Sequence, residues 1–250
     1  MHLLLEHRDT TYRADLRRPL SIAIPLRESE QPNCFYAPLY YVEPVRGEGF
    51  VGDTSQGGLV NFKTVHLNPH GSGTHTECVG HIAVEPYSLR DCLRAYHHLA
   101  KVVTVYPEAQ PDGDRVITYD QVEALLTPGD ATALVIRTMP NDALKMRTVY
   151  SGTNPPYIHH SAVAYMVECG IQHLLIDLPS VDRAEDEGRL LAHRAFWQYP
   201  EAIRVHSTIT ELIYVNPAIP DGLYCLELQV APFTIDVSPS NPVLYRLEEV

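Results

Sequence analysis

The stretch NPHGSGTHTECVGHI, residues 68–82, decides how this sequence is read. It gathers His70, His75, Glu77 and His81 among Gly71, Gly73 and Gly80, with almost no apolar bulk. Imidazole and carboxylate together suit borderline or hard divalent ions such as zinc, manganese or iron(II). His75 and Glu77 are two apart, so on an extended chain they point to one side. Gly71 and Gly73 permit a tight bend that returns His70 to the same point. His81, four residues past Glu77, shares a face with it if the chain turns helical there. The competing reading is a polar glycine-rich loop that merely contains histidines. Three histidines with an acid in one loop favour the metal centre.

The flanking sequence supplies a scaffold. Residues 59–67 (LVNFKTVHL) alternate partly and are rich in β-branched side chains, which predicts a strand leading into the loop. His66 belongs to that strand and points away. Further strands are predicted at 20–25 (LSIAIP), 102–106, 133–137 (ALVIR), 173–177 (HLLID), 209–215 and 223–230. Thr118 and Gln121 fit a capping box that opens a helix through Leu126. A second helix spans 160–169 and stops at Gly170, and a third covers 184–197. Strands and helices alternate through the middle, which predicts an α/β fold with a mixed sheet.

The chain has 250 residues, 45% of them hydrophobic, enough for a substantial core in a single domain over 1–250. A formal net charge of −12 argues against a phosphate-binding surface, so nucleic acid is excluded as a partner. No window approaches a membrane-spanning helix, and the three-leucine run near the start is too short for a signal peptide. The five cysteines are scattered without a CxxC pair, which suits free thiols in a reducing cytoplasm.

The motif GTHTECVGH resembles the signature of the metal-dependent cyclase family, which includes bacterial kynurenine formamidase and isatin hydrolase. The pattern there is H-x-G-T-H-x-D-x-P-x-H. Gly73-Thr74-His75 matches it, and His81 keeps the spacing from His75. One extra residue separates His70 from Gly73, Glu77 replaces an aspartate, and Val79 replaces a proline. Downstream, GIQHLLIDLPSVD (170–182) resembles the family's glycine, strand and D-x-P-S-x-D segment. Ala192-His193 and Glu211 resemble a later histidine and glutamate ligand, and ADLRRPLSIAIP resembles the opening strand.

The resemblance implies a swivelling β/β/α fold. It places His70, His75 and Glu77 on one metal, with Glu77 bridging to a second held by His193 and Glu211. His81 is then the acid/base. The cofactor is one or two divalent ions, zinc or manganese, the substrate is a small molecule, and the assembly is a homodimer or homotetramer. The implied reaction is hydrolysis of a carbon–nitrogen bond in an amide or cyclic amide, as in an arylformamidase. An ester or lactone hydrolase, an iron(II) oxygenase and a non-catalytic metal-binding module are the alternatives.

Other residues take blander readings. The adjacent pairs His97–His98 and His159–His160 do not share a face. Cys78 packs on the side opposite Glu77. Phe35, Tyr36, Tyr40 and Tyr41 read as core packing first and a pocket wall second. Trp197 packs the helix that carries His193. Asp177, Ser180 and Asp182 either line the site or shape a turn.

Overall fold

The apolar runs ALVI at 133–136 and HLLI at 173–176 lack polar alternation because their strands are covered on both faces. Ala133, Val135 and Leu175 belong to one buried cluster, and Leu134, Ile136, Leu174 and Ile176 to another. The computed structural model, which describes residues 1–250, shows what separates the two clusters. It is a sheet of ten strands: β1 (His2–His7), β2 (Thr10–Asp15), β3 (Leu20–Ser21), β4 (His75–Glu77), β5 (His97–Val105), β6 (Ala133–Thr138), β7 (His173–Ile176), β8 (Thr208–Glu211), β9 (Gly222–Val230) and β10 (Val237–Glu249).

Strands β5, β6, β7 and β8 run parallel as neighbours. β9 joins β5 antiparallel, and β10 joins β9. The three residues of β4 pair antiparallel with β8 on one side and β10 on the other. That strand closes seven strands into a barrel. Its interior is filled by side chains such as Ile22, Val102, Val135, Leu175, Leu226 and Leu244.

Besides the short α1 (Leu89–Cys92), three helices cover part of the outside: α2 (Tyr119–Leu125), α3 (His160–Glu168) and α4 (Leu191–Trp197). Val122, Val163, Met166, Phe196 and Trp197 pack against the outward residues of the parallel strands. At the start of α2 the Thr118 backbone N–H donates to Gln121 Oε1 at 3.2 Å, as the capping box requires. Gly170, at φ +90°, ends the chain's run through α3. No helix is long and apolar enough to cross a membrane.

Several expected boundaries shift for local reasons. The third helix covers only Leu191–Trp197 and not 184–197. The Asp186 carboxylate accepts from the Gly188 and Leu190 amides, and that turn competes with helix. The strand expected over 209–215 stops at Glu211, because Leu212 adopts a left-handed φ of +53°. The strand expected over 20–25 shrinks to Leu20–Ser21 plus a bridge from Ala23 to Ile213. The strand expected over 59–67 is Lys63–His66, paired with Tyr41–Pro44 outside the barrel. The hairpin of β1 and β2 was not anticipated, nor was β10, whose Pro239 and Pro242 disguise it.

The aromatic cluster is not core. Phe35 and Tyr36 lie in left-handed backbone at φ +57° and +53° and are 52% and 80% exposed. They line a cleft of about 250 Å³ with Cys34 and Tyr150. Tyr41 is also exposed, and it stacks on His66 with ring centroids 4.2 Å apart.

At the N-terminal ends of the parallel strands the rings of His98 and His173 lie 3.9 Å apart, both buried. Burial, then His98 and Arg204, push the His173 pKa down to about 3. In the unfolded chain it returns to about 6.5. Below that value the unfolded state binds a proton that the native state refuses, so stability falls as pH drops from about 6.5 toward 3. At about pH 5 this residue costs about 2 kcal/mol. Urea denaturation at about pH 7.5 and about pH 5 is expected to show His173→Asn losing less stability than wild type by about that amount. Equal losses would remove His173 from the acid response.

Candidate metal centre

The short strand β4 carries the centre, and its neighbours fix its register. His75 stands opposite Glu211 on β8 and Pro239 on β10, and Glu77 stands opposite Ile209 and Val237. Side chains alternate along a strand. Thr76 therefore faces the barrel interior, where its hydroxyl meets that of Thr210 at 2.8 Å, and Cys78 joins the interior cluster. His75 and Glu77 face outward, toward His193 on α4.

The loop before β4 is shaped by Gly73 and Thr74. Gly73 has φ +131°, and a Cβ there would stand 2.6 Å from Leu26 Cδ2. Thr74 Oγ1 accepts from the Ile24 amide at 2.8 Å and donates to the Leu212 carbonyl. One hydroxyl thus ties the loop to the first barrel segment and to the left-handed turn that follows Glu211.

Glu77 is the hub. Its Oε2 lies 3.2 Å from His70 Nδ1 and 3.6 Å from His81 Nδ1, and its Oε1 lies 3.2 Å from His193 Nε2. His193 Nδ1 donates to Asp182 Oδ2 at 2.6 Å. His70 Nε2 lies 3.0 Å from Asp236 Oδ2. His75 Nδ1 donates to the Gly73 carbonyl at 2.8 Å, and its Nε2 lies 3.5 Å from Glu211 Oε2. The other Glu211 oxygen accepts from the Val181 amide at 2.9 Å. His75, Glu77, His193 and Glu211 are buried, whereas the His70, His81 and Asp236 side chains keep 28–31% of their surface exposed.

Every ion pair of Glu77, Asp182, Glu211 and Asp236 is with a histidine; no lysine or arginine reaches them. Burial alone would raise the Glu77 pKa, but His81, His193 and His70 outweigh it and hold the carboxyl well below its usual range. Burial would lower His70, but Asp236 and Glu77 override it and raise its pKa to about 9. His193 is likewise raised well above the ordinary value, because Asp182 and Glu77 outweigh its burial. The carboxylates draw positive charge into this point.

A divalent cation fits the same residues. His75 Nε2 and Glu77 Oε2 are buried without a hydrogen-bond partner, a state that costs roughly 1–3 kcal/mol each when nothing compensates. The His75 Nδ1 proton is committed to a carbonyl, so its Nε2 presents a lone pair. Two sets of ligand atoms lie within 4.8 Å of one another: His70, Glu77 and His81, and His75, Glu77 and Glu211.

The structure brings His70, His75, Glu77, His81, His193 and Glu211 to one place, as the motifs suggest. It sorts them differently: His75 stands with Glu211, and His70 stands with His81, while Glu77 belongs to both sets. Asp182 orients His193, and Ser180 shapes the turn by accepting from the Asp182 amide. Asp177 faces Lys145 and Thr138 at 2.8 Å and belongs to a different network. Asp236 escapes sequence reading, since nothing in APFTID marks it and the strand that follows was itself hidden by prolines.

The Cyclase family model matches residues 14–183. No curated protein matches the sequence. Among solved structures, an isatin hydrolase bound to the product analogue thioisatinate is 15% identical, over 92% of this chain and 93% of that one, with a TM-score of 0.64. Isatin hydrolase A from Ralstonia solanacearum is 14% identical over 91% of each chain, at 0.61. A protein described as a predicted metal-dependent hydrolase, from Bacillus stearothermophilus, is 16% identical over 91% of this chain and 98% of that one, at 0.63. At such identities the likeness is one of fold.

Thr74→Val keeps the volume and removes both hydroxyl bonds, leaving the Ile24 amide and the Leu212 carbonyl unpaired. It is expected to cost about 2–4 kcal/mol, one to two units for each buried group. Urea denaturation measures this, and a loss under about 1 kcal/mol would mean that the hydroxyl does not tie these segments together.

Proposed function

The chain belongs to the Cyclase family, and we propose that it is a metal-dependent hydrolase that cleaves a carbon–nitrogen bond of an amide or cyclic amide. The observation that carries this reading is the buried Glu77 carboxylate, ringed by imidazoles: its Oε2 and the His75 Nε2 both lack a hydrogen-bond partner, and His75, Glu77 and Glu211 each offer a ligand atom within 4.8 Å of one another. His70, His75, Glu77, His193 and Glu211 would hold one or two divalent ions, zinc or manganese. Such an ion supplies Lewis acidity, polarising a carbonyl and lowering the pKa of water to about 7.

The remaining chemistry falls to the chain. The buried side of the centre excludes water, and the half-exposed His70, His81 and Asp236 mark the side from which a small molecule enters. Cleaving a carbon–nitrogen bond requires a proton on the leaving nitrogen, because an amide anion leaves poorly. His193 and His75 each have Nδ1 committed to a hydrogen bond. His81 Nδ1 stands 3.6 Å from Glu77 and 3.7 Å from Asp236, beyond hydrogen-bond reach of either. It is therefore the imidazole free to take a proton from water and deliver it to the leaving group.

Isatin, named in the descriptions of two similar folds, is a cyclic amide, which supports this bond class over an ester or lactone. An iron(II) oxygenase uses two histidines and one carboxylate with open positions. Here Glu211, Asp236 and His193 add further ligand-type groups around Glu77, which supports the hydrolytic reading.

His81→Ala is expected to lower kcat by roughly 10²–10⁴-fold with metal content near that of wild type. His75→Ala is expected to lose metal and activity together. Elemental analysis of protein purified without chelator, with turnover on N-formyl amides, cyclic imides and lactones, reads both. Full turnover in His81→Ala would remove it from the mechanism, and loss of metal there would make it a ligand.

A further inference from the structure

Two histidines approach Glu77 from opposite sides, and each is backed by a carboxylate. His193 reaches Glu77 Oε1 through Nε2 while Nδ1 rests on Asp182. His70 repeats the arrangement with its nitrogens exchanged: Nδ1 lies 3.2 Å from Glu77 Oε2, and Nε2 lies 3.0 Å from Asp236 Oδ2. We infer that Asp236 is the positioning residue for His70: it accepts the Nε2 proton, fixes the tautomer and turn of the ring, and leaves the Nδ1 lone pair aimed at the centre. The inference rests on the reading of these residues as a metal centre.

A carboxylate only accepts, so its bond to Nε2 places the proton there and leaves Nδ1 bare in the neutral ring. His70 needs such a hold more than its neighbours do. It sits in a glycine-flanked loop with its side chain 28% exposed, whereas the His75 and His193 side chains are almost fully buried. Asp236 is the only residue to which the His70 ring is hydrogen-bonded.

Asp236 is itself fixed by backbone. Its carbonyl accepts from the Cys78 amide at 3.0 Å, and the Ile235 carbonyl accepts from the Leu89 amide at 2.8 Å. It immediately precedes β10, so the pairing of β10 with β4 sets its height relative to Glu77. Gly80 makes room, since a Cβ there would lie 3.0 Å from Asp236 Cβ. His81, at 3.7 Å, is too far to compete for the carboxylate. Asp236 thus serves His70 and leaves His81 free to move a proton.

The test uses the full chain, stripped of metal, with Zn²⁺ as the probe. Competition with a chromogenic chelator measures affinity, and imidazole nitrogen NMR shifts, taken at a pH above the raised His70 pKa so that the ring is neutral, report its tautomer in the metal-free protein. Asp236→Ala is expected to weaken Zn²⁺ binding by about 10–100-fold and to release His70 from its single Nε2–H form. Asp236→Asn, which keeps a neutral acceptor of the same shape, is expected to weaken binding by about tenfold, and it carries the comparison should the alanine variant not fold. Wild-type affinity with an unchanged tautomer in a folded variant would overturn the inference. A wild-type chain without Zn²⁺ affinity would sink the metal-centre reading instead, and the tautomer measurement would still decide what Asp236 does.

Discussion

A carboxylate buried in the middle of a closed sheet governs this structure. Glu77 has no exposed surface and stands between two paired strands. Removing such a charge from water is costly by several kcal/mol unless something compensates it. The compensation comes from sequence far apart: His70 and His81 flank the strand, and His193 arrives on α4 with Asp182 behind it. His70 and His193 are drawn toward protonation by the carboxylates they face. That imbalance distinguishes this cluster from a satisfied polar core and makes a cation its natural complement.

The barrel provides the precision. Four parallel strands, filled on both faces, give a rigid wall whose C-terminal ends deliver Glu211 and the Asp177–Asp182 segment. The last gap in the wall is filled by a strand of three residues. Two of those three, His75 and Glu77, face the histidine and carboxylate cluster, and the third, Thr76, bonds into the interior. Closing the fold and assembling the centre are thus one event, and the left-handed turn at Leu212, tied to Thr74, locks both.

Much of this was legible in the sequence, for identifiable reasons. Unbroken apolar runs marked β6 and β7, because two-sided burial leaves no room for polar alternation. Period-two spacing placed His75 and Glu77 on one side of a strand, and the glycines announced the bend that returns His70. The barrel's closure was not legible, because β10 contains two prolines and β4 is too short to show any period. The grouping of these residues was hidden for the same reason: the pairing of His75 with Glu211 is a matter of strand register, which local pattern does not encode. Asp236 depends on that register too. Phe35 and Tyr36 misled because aromatic residues normally signal burial, and here a left-handed backbone turns them out.

The brevity of β4 also limits how a lineage could alter this protein. A strand hydrogen-bonded on both sides cannot gain or lose a single residue without turning its side chains to the opposite face. A slip at β4 would drive His75 and Glu77 into the apolar interior and bring Thr76 out to α4. Changes of chain length are therefore confined to the loop upstream, where Gly71 to Gly73 can absorb an added residue without disturbing the pairing. That is where this sequence carries its extra residue, and a substituted side chain length at Glu77 is the kind of variation that the fixed strand can still accommodate.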